Sequence, residues 1–134
     1  MLGKSDSATV MPEVLVIDDD LALLHSLVIA LETFGIPIAT ARDGLEGLKL
    51  FRRLAPKVVI TDIIMPEQDG IGIIMAMRRE RASVKIIAMS GGGRIGKSDL
   101  LMIAKQLGAN SVIQKPFDAN ELLATVRGHL ELPG

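Results

Sequence analysis

Val14-Leu15-Val16-Ile17-Asp18-Asp19-Asp20 is a run of four aliphatic residues that ends in three carboxylates. Apolar residues in unbroken series, rather than alternating with polar ones, mark a strand covered on both faces, as the central strands of a parallel sheet are. The pattern returns at Val58-Val59-Ile60-Thr61 followed by Asp62, and more briefly at Val112-Ile113-Gln114 followed by Lys115. If these strands are parallel neighbours, Asp18, Asp19, Asp62 and Lys115 converge at one edge of the sheet, where open α/β folds place their ligand sites. Such an edge suits a divalent cation and a phosphoryl group.

Outward from that stretch, apolar runs of strand length alternate with longer helical patterns, the signature of βαβ units and a parallel sheet. Strands are expected over residues 13–17, 36–41, 57–61, 84–90 and 111–114, and helices over 21–34, 45–54, 71–80, 99–107 and 119–130. Gly35 and Gly108 stand where C-terminal caps belong, and Asp43 and Asp118 where N-caps belong. Pro56 and Pro66 fall in connections, and Pro37 suits an edge strand because proline cannot donate to a ladder.

A chain of 134 residues that is 49% hydrophobic is expected to form one domain around one core. A net charge of -1 gives no electrostatic footprint for nucleic acid. The absence of cysteine excludes disulfides and thiolate metal sites, and fits a reducing compartment. No segment reaches the roughly 18 apolar residues of a membrane span, so no membrane insertion is expected. Residues 1–11 read as a flexible N-terminal tail and 12–131 as the folded domain.

An aspartate after a strand often serves only as a turn residue or helix cap, and Asp20 reads that way. Asp18, Asp19 and Asp62 do not, because three converging carboxylates repel one another unless a cation sits among them. Oxygen donors with no histidine or cysteine nearby favour magnesium or manganese over zinc.

Together with Thr61-Asp62-Ile63-Ile64-Met65-Pro66, Asp69-Gly70, Ala88-Met89-Ser90-Gly91 and Lys115-Pro116-Phe117, the opening stretch resembles the receiver domains of two-component response regulators, of the stand-alone, chemotaxis-regulator-like kind. The resemblance covers residues 12–130 and implies a doubly wound five-stranded parallel sheet in the order 2-1-3-4-5, a flavodoxin-like three-layer α/β sandwich. It further implies that Asp62 is the phosphoacceptor, taking a phosphoryl group from the phosphohistidine of a sensor histidine kinase or histidine phosphotransfer protein. Asp19, Asp62 and the backbone carbonyl of Ile64 would hold Mg²⁺, with Asp18 acting largely through water. Ser90 and Lys115 would contact the phosphoryl oxygens, and the Lys115-Pro116 bond would be cis. The implied protein is a cytoplasmic switch that catalyses its own phosphorylation and slow dephosphorylation, and is not otherwise an enzyme. It would act through an unknown protein target, without direct nucleic acid binding, since only one helix follows Lys115.

Two departures concern the output. Val112 stands where the family often has an aromatic residue, and the loop after Ser90 is longer than usual. The switch is therefore expected in Ser90, Gly91 and the loop that follows, with Val112 responding by packing. A competing motif is Gly91-Gly92-Gly93-Arg94-Ile95-Gly96-Lys97-Ser98, which satisfies G-x-x-x-x-G-K-[ST] and offers a P-loop-like nucleotide site as the alternative. Too little scaffold follows it for a P-loop fold, and it leaves the acids and Lys115 unexplained. His25 and His129 read as surface residues. In the first helix, Leu23, Leu27, Ala30 and Phe34 are expected to face the core, while Leu21, Leu24 and Val28 form a second stripe suited to docking a partner.

Overall fold

In the computed structural model, which describes residues 11–65, 68–90 and 97–130, five parallel strands form one sheet with helices on both faces. The elements are β1 (Val14–Ile17), α1 (Leu21–Thr33), β2 (Ile38–Ala41), α2 (Gly44–Leu54), β3 (Val58–Asp62), β4 (Ile64–Met65), β5 (Gln68–Asp69), α3 (Gly70–Glu80), β6 (Lys85–Ser90), α4 (Lys97–Leu107), β7 (Ser111–Gln114) and α5 (Ala119–Leu130). The sheet order β2-β1-β3-β6-β7 is the expected 2-1-3-4-5 once β4 and β5 are set aside as a separate antiparallel pair. That pair, between Asp62 and α3, had no sequence signal of strand length.

The apolar runs divide by strand periodicity into two layers. Leu15, Ile17, Val59, Ile86 and Ala88 point to one face and pack with Phe51 of α2, Ile74 and Met77 of α3, and Ala104 of α4. Val14, Val16, Val58, Ile60, Ile87 and Met89 point to the other face and pack with Leu24, Leu27 and Leu31 of α1 and Leu122 and Val126 of α5. β1 and β3 are buried throughout, which is why neither alternates in sequence. Gly47 lets α2 close onto β1: a Cβ there would collide with the Ile17 side chain.

Helix boundaries follow local chemistry. Asp20 caps α1 by accepting the Leu23 N–H, and Asp43 caps α2 by accepting the Glu46 N–H at 2.8 Å. Glu46 reaches back to accept the Arg42 N–H. Asp118 accepts the Asn120 N–H, and Gly35 and Gly108 take positive φ at helix ends. Pro37 lies just before β2, an edge strand, and its carbonyl accepts N–H groups from Glu13 and Val14.

Two expectations need correction. The core stripe of α1 is Leu24, Leu27 and Leu31, whereas Phe34 is 49% exposed, because the helix is rotated so that Leu24 of the supposed outer stripe packs inward. His129 is half-buried, and its Nε2 lies 2.7 Å from Ser111 Oγ. The expected N-terminal tail, except Met11, together with Pro66 and the glycine-rich stretch 91–96, lies outside the described residues.

Candidate functional site

Parallel register carries four strand ends to one level. Ile17 stands beside Thr61, Asp62 beside Met89, and Ser90 beside Gln114, so that Asp18, Asp62, Ser90 and Lys115 lie at the same carboxyl edge. Asp18 is fully buried and Asp62 is 5% exposed, while Asp19 is exposed. Carboxylate oxygens of all three fall within 4.8 Å of one another. Lys115 Nζ lies 2.7 Å from Asp18 Oδ2 and 3.1 Å from Asp62 Oδ2.

The supporting contacts are local. The Asp20 N–H donates to Asp18 Oδ1 at 2.9 Å, which orients that carboxylate. The Lys115 N–H donates to the Ser90 carbonyl at 2.7 Å, fastening the lysine to the end of β6, and the Ile63 N–H donates to the Met89 carbonyl. The Lys115-Pro116 bond is cis. Burial pulls the Lys115 ammonium down, but the hydrogen bonds and charges of Asp18 and Asp62 outweigh it and hold the group above its ordinary value.

Among the described residues, three carboxylates face one ammonium in a partly buried cluster. The donors are all oxygens, the set that hard divalent cations take. Ser90 Oγ is buried with no hydrogen-bond partner among the described residues. A hydroxyl in that state ordinarily costs about 1–3 kcal/mol, and one pointing to an edge of this kind is available to a ligand oxygen. Ile64 lies two residues beyond Asp62 in β4, and Val112 of β7 packs against the layer that contains Ala88. Gly91 lies outside the described residues.

The profile of the response regulator receiver domain matches residues 14–127. This chain belongs to that family. The receiver domain is 34% identical over 122 residues to the DNA-binding dual master transcriptional regulator RpaA of Synechocystis sp., covering 90% of this chain and 49% of that protein. It is 33% identical over 129 residues to the transcriptional regulatory protein PrrA of Mycobacterium tuberculosis, covering 96% of this chain and 54% of the relative. The chain thus spans about half the length of these curated relatives. Among solved structures, a receiver domain protein from Clostridium thermocellum superposes with a TM-score of 0.80 at 29% identity, covering 90% of this chain and 94% of that one. A CheY-like receiver domain protein from Methanospirillum hungatei gives 0.81 at 25% identity, with the same coverage.

The receiver profile runs straight through Gly91–Ser98 and the sheet has the receiver order, so the P-loop-like alternative has no support. The receiver domain also uses Gly70, which the sequence reading quoted in the resemblance but gave no role. A Cβ on Gly70 would come within 2.8 Å of the Asp62 carbonyl oxygen and would collide with that of Ile63, so the glycine lets α3 start directly against the end of β3. Its signal was Asp69-Gly70 immediately before an apolar helix. Among the described residues no helix is long and apolar enough to cross a membrane.

Proposed function

We propose that this receiver domain accepts a phosphoryl group on Asp62 from a phosphohistidine and switches conformation in a phosphorelay. The observation that carries the reading is Asp62 itself: a buried carboxylate with two more carboxylates within 4.8 Å and an ammonium at 3.1 Å. An Asp62 oxygen attacks phosphorus, the P–N bond breaks, and the imidazole leaves with the electron pair. Such transfers depend on positioning and on neutralising the equatorial oxygens more than on a general base. Lys115 supplies a fixed cation there, and Ser90 Oγ a hydroxyl donor that has no acceptor among the described residues.

Asp19, Asp62 and the Ile64 carbonyl, with Asp18 largely through water, are the groups we assign to Mg²⁺. When bound, the ion offsets the negative charge of the acids and the entering phosphoryl oxygens. The chain's own residues do the rest: Asp18, held by the Asp20 N–H, positions Lys115, and Lys115 bridges Asp18 to Asp62. Self-catalysed phosphorylation and slow dephosphorylation belong to the same reading, as does a cytoplasmic setting with a sensor histidine kinase or phosphotransfer protein as donor. Beside Lys115 a cavity of about 420 Å³ lined by Asp20, Leu23, Pro116 and Phe117 leaves room for an approaching imidazole, and Leu21 of α1 is 57% exposed nearby in sequence. We place the receiver unit at residues 12–131 and the responsive elements at Ser90, Gly91 and Val112, with output through a protein target rather than through nucleic acid bound by this domain.

The test is phosphorylation by acetyl phosphate followed by intact mass. One phosphoryl group should be gained with Mg²⁺, none with EDTA, and none by Asp62→Asn under either condition. Equal labelling of that variant would move the acceptor elsewhere.

A further inference from the structure

At the opposite, amino-terminal edge of the sheet a cavity of about 360 Å³ opens between the starts of β3 and β6, bordered by Lys57, Arg81, Lys85 and His129 over an apolar wall that includes Pro56 and Val84. None of the described residues that line it is acidic. Lys57 Nζ has Glu13 Oε2 only at 3.7 Å, both side chains being exposed, which makes a weak pair. Arg81 and Lys85 have no carboxylate oxygen within 4.0 Å among the described residues.

Arg81 is held in place rather than free to swing. Its Nη2 donates to the Pro56 carbonyl at 2.6 Å, and its guanidinium lies 4.6 Å from the centre of the Phe51 ring. Its other guanidinium N–H groups make no hydrogen bond to the described residues. Burial lowers its pKa, the sign of a cation drawn partly out of water without a counter-charge. A fixed guanidinium with spare N–H groups, flanked by two lysines, matches the oxygens of a phosphate group. The cavity is larger than inorganic phosphate needs, and the exposed Ala55 and Ser83 at its border leave room for an organic substituent.

We propose that this cavity binds a small phosphate monoester, with the phosphate between Lys57, Arg81 and Lys85 and the organic group against the exposed Ala55 and Ser83. The site is separate from the acceptor edge and independent of the function proposed there. Phenyl phosphate, inorganic phosphate and sodium chloride at matched ionic strength are titrated into the protein in EDTA, which silences cation-dependent chemistry at the acceptor edge. Amide and imidazole NMR signals report the binding. Phenyl phosphate should shift Lys57, Val84, Lys85 and the His129 ring saturably and more tightly than inorganic phosphate. Lys57→Gln with Lys85→Gln, both at exposed positions, should weaken that binding about tenfold per lysine, the loss of one charge-assisted contact each. Shifts that never saturate, equal shifts with chloride, or unchanged affinity in the double variant would overturn the proposal.

Discussion

At the amino-terminal edge of the sheet, Arg78 donates to the carbonyls of Gly108, Ala82 and Val84 and to Asn110 Oδ1, which in turn accepts the Ile86 N–H. At the carboxyl edge three carboxylates crowd one lysine, and a buried serine hydroxyl has no partner among the described residues. The same strands run between the two. One end ties α3, β6 and the α4–β7 turn together through the hydrogen bonds of Arg78 and Asn110, while the other gathers acids that a cation can join. Stability and responsiveness are thus separated along the strand axis, and the rigid end holds the responsive end in register.

The largest expected effect is at the rigid end. Arg78→Met removes donors from three carbonyls and an amide at once, and urea unfolding should show a loss of about 2–3 kcal/mol, since the Gly108 and Val84 carbonyls are partly buried and an acceptor left unpaired there costs about 1 kcal/mol or more. A loss below about 1 kcal/mol would mean that this end is not the staple. Gly70→Ala comes next, because its methyl must displace backbone at the Asp62 and Ile63 carbonyls rather than a flexible side chain. It should cost about 1–3 kcal/mol and slow acetyl phosphate labelling, whereas a variant equally stable and equally fast would detach α3 from the acceptor.

At the responsive end the sign reverses. Asp19→Asn removes one carboxylate from the crowded cluster, so in EDTA it should raise stability, by about 0.5–1 kcal/mol, and the stabilisation that Mg²⁺ gives the unmodified protein should shrink. Destabilisation by the same substitution would show that the cluster is not strained by its own charge.

A smaller effect belongs to His129. Burial, helped by Lys85, lowers its pKa below 6.5, so the folded state binds its proton less readily than the unfolded chain does. Stability should therefore be full above about pH 6.5 and decline as pH falls toward the folded-state value. His129→Gln should flatten that segment of the pH profile, and an unchanged slope would assign it to other groups.

The two-sided burial of β1 and β3 and the placement of Asp18, Asp19, Asp62, Ser90 and Lys115 at strand ends were legible because each depends on local patterns, apolar runs and the polar residue that ends them, whereas the sheet order was legible only through the family resemblance. The rotation of α1 was not legible. Its residues are apolar on more than one side, so periodicity admits both Leu23 and Leu24 as core positions, and only packing into the layer that also holds Val14 and Ile36 buries Leu24 and leaves Leu23 half-buried. Arg78 escaped notice for a different reason: most of its acceptors are backbone carbonyls, which have no sequence signature. His129 and Ser111 meet from different elements 18 residues apart, and neither neighbourhood announces the other. The order of loops beyond Ser90 rests on residues 91–96, which lie outside the described set.

The most direct test of the central claim is to locate the modified atom. Protein treated with acetyl phosphate and Mg²⁺ is reduced with borohydride, which converts an aspartyl phosphate to homoserine, and is then digested and sequenced by mass spectrometry. The account predicts homoserine at residue 62 and aspartate retained at 18 and 19. Homoserine at either of those positions, or at none of the three in protein shown to carry a phosphoryl group, would contradict it.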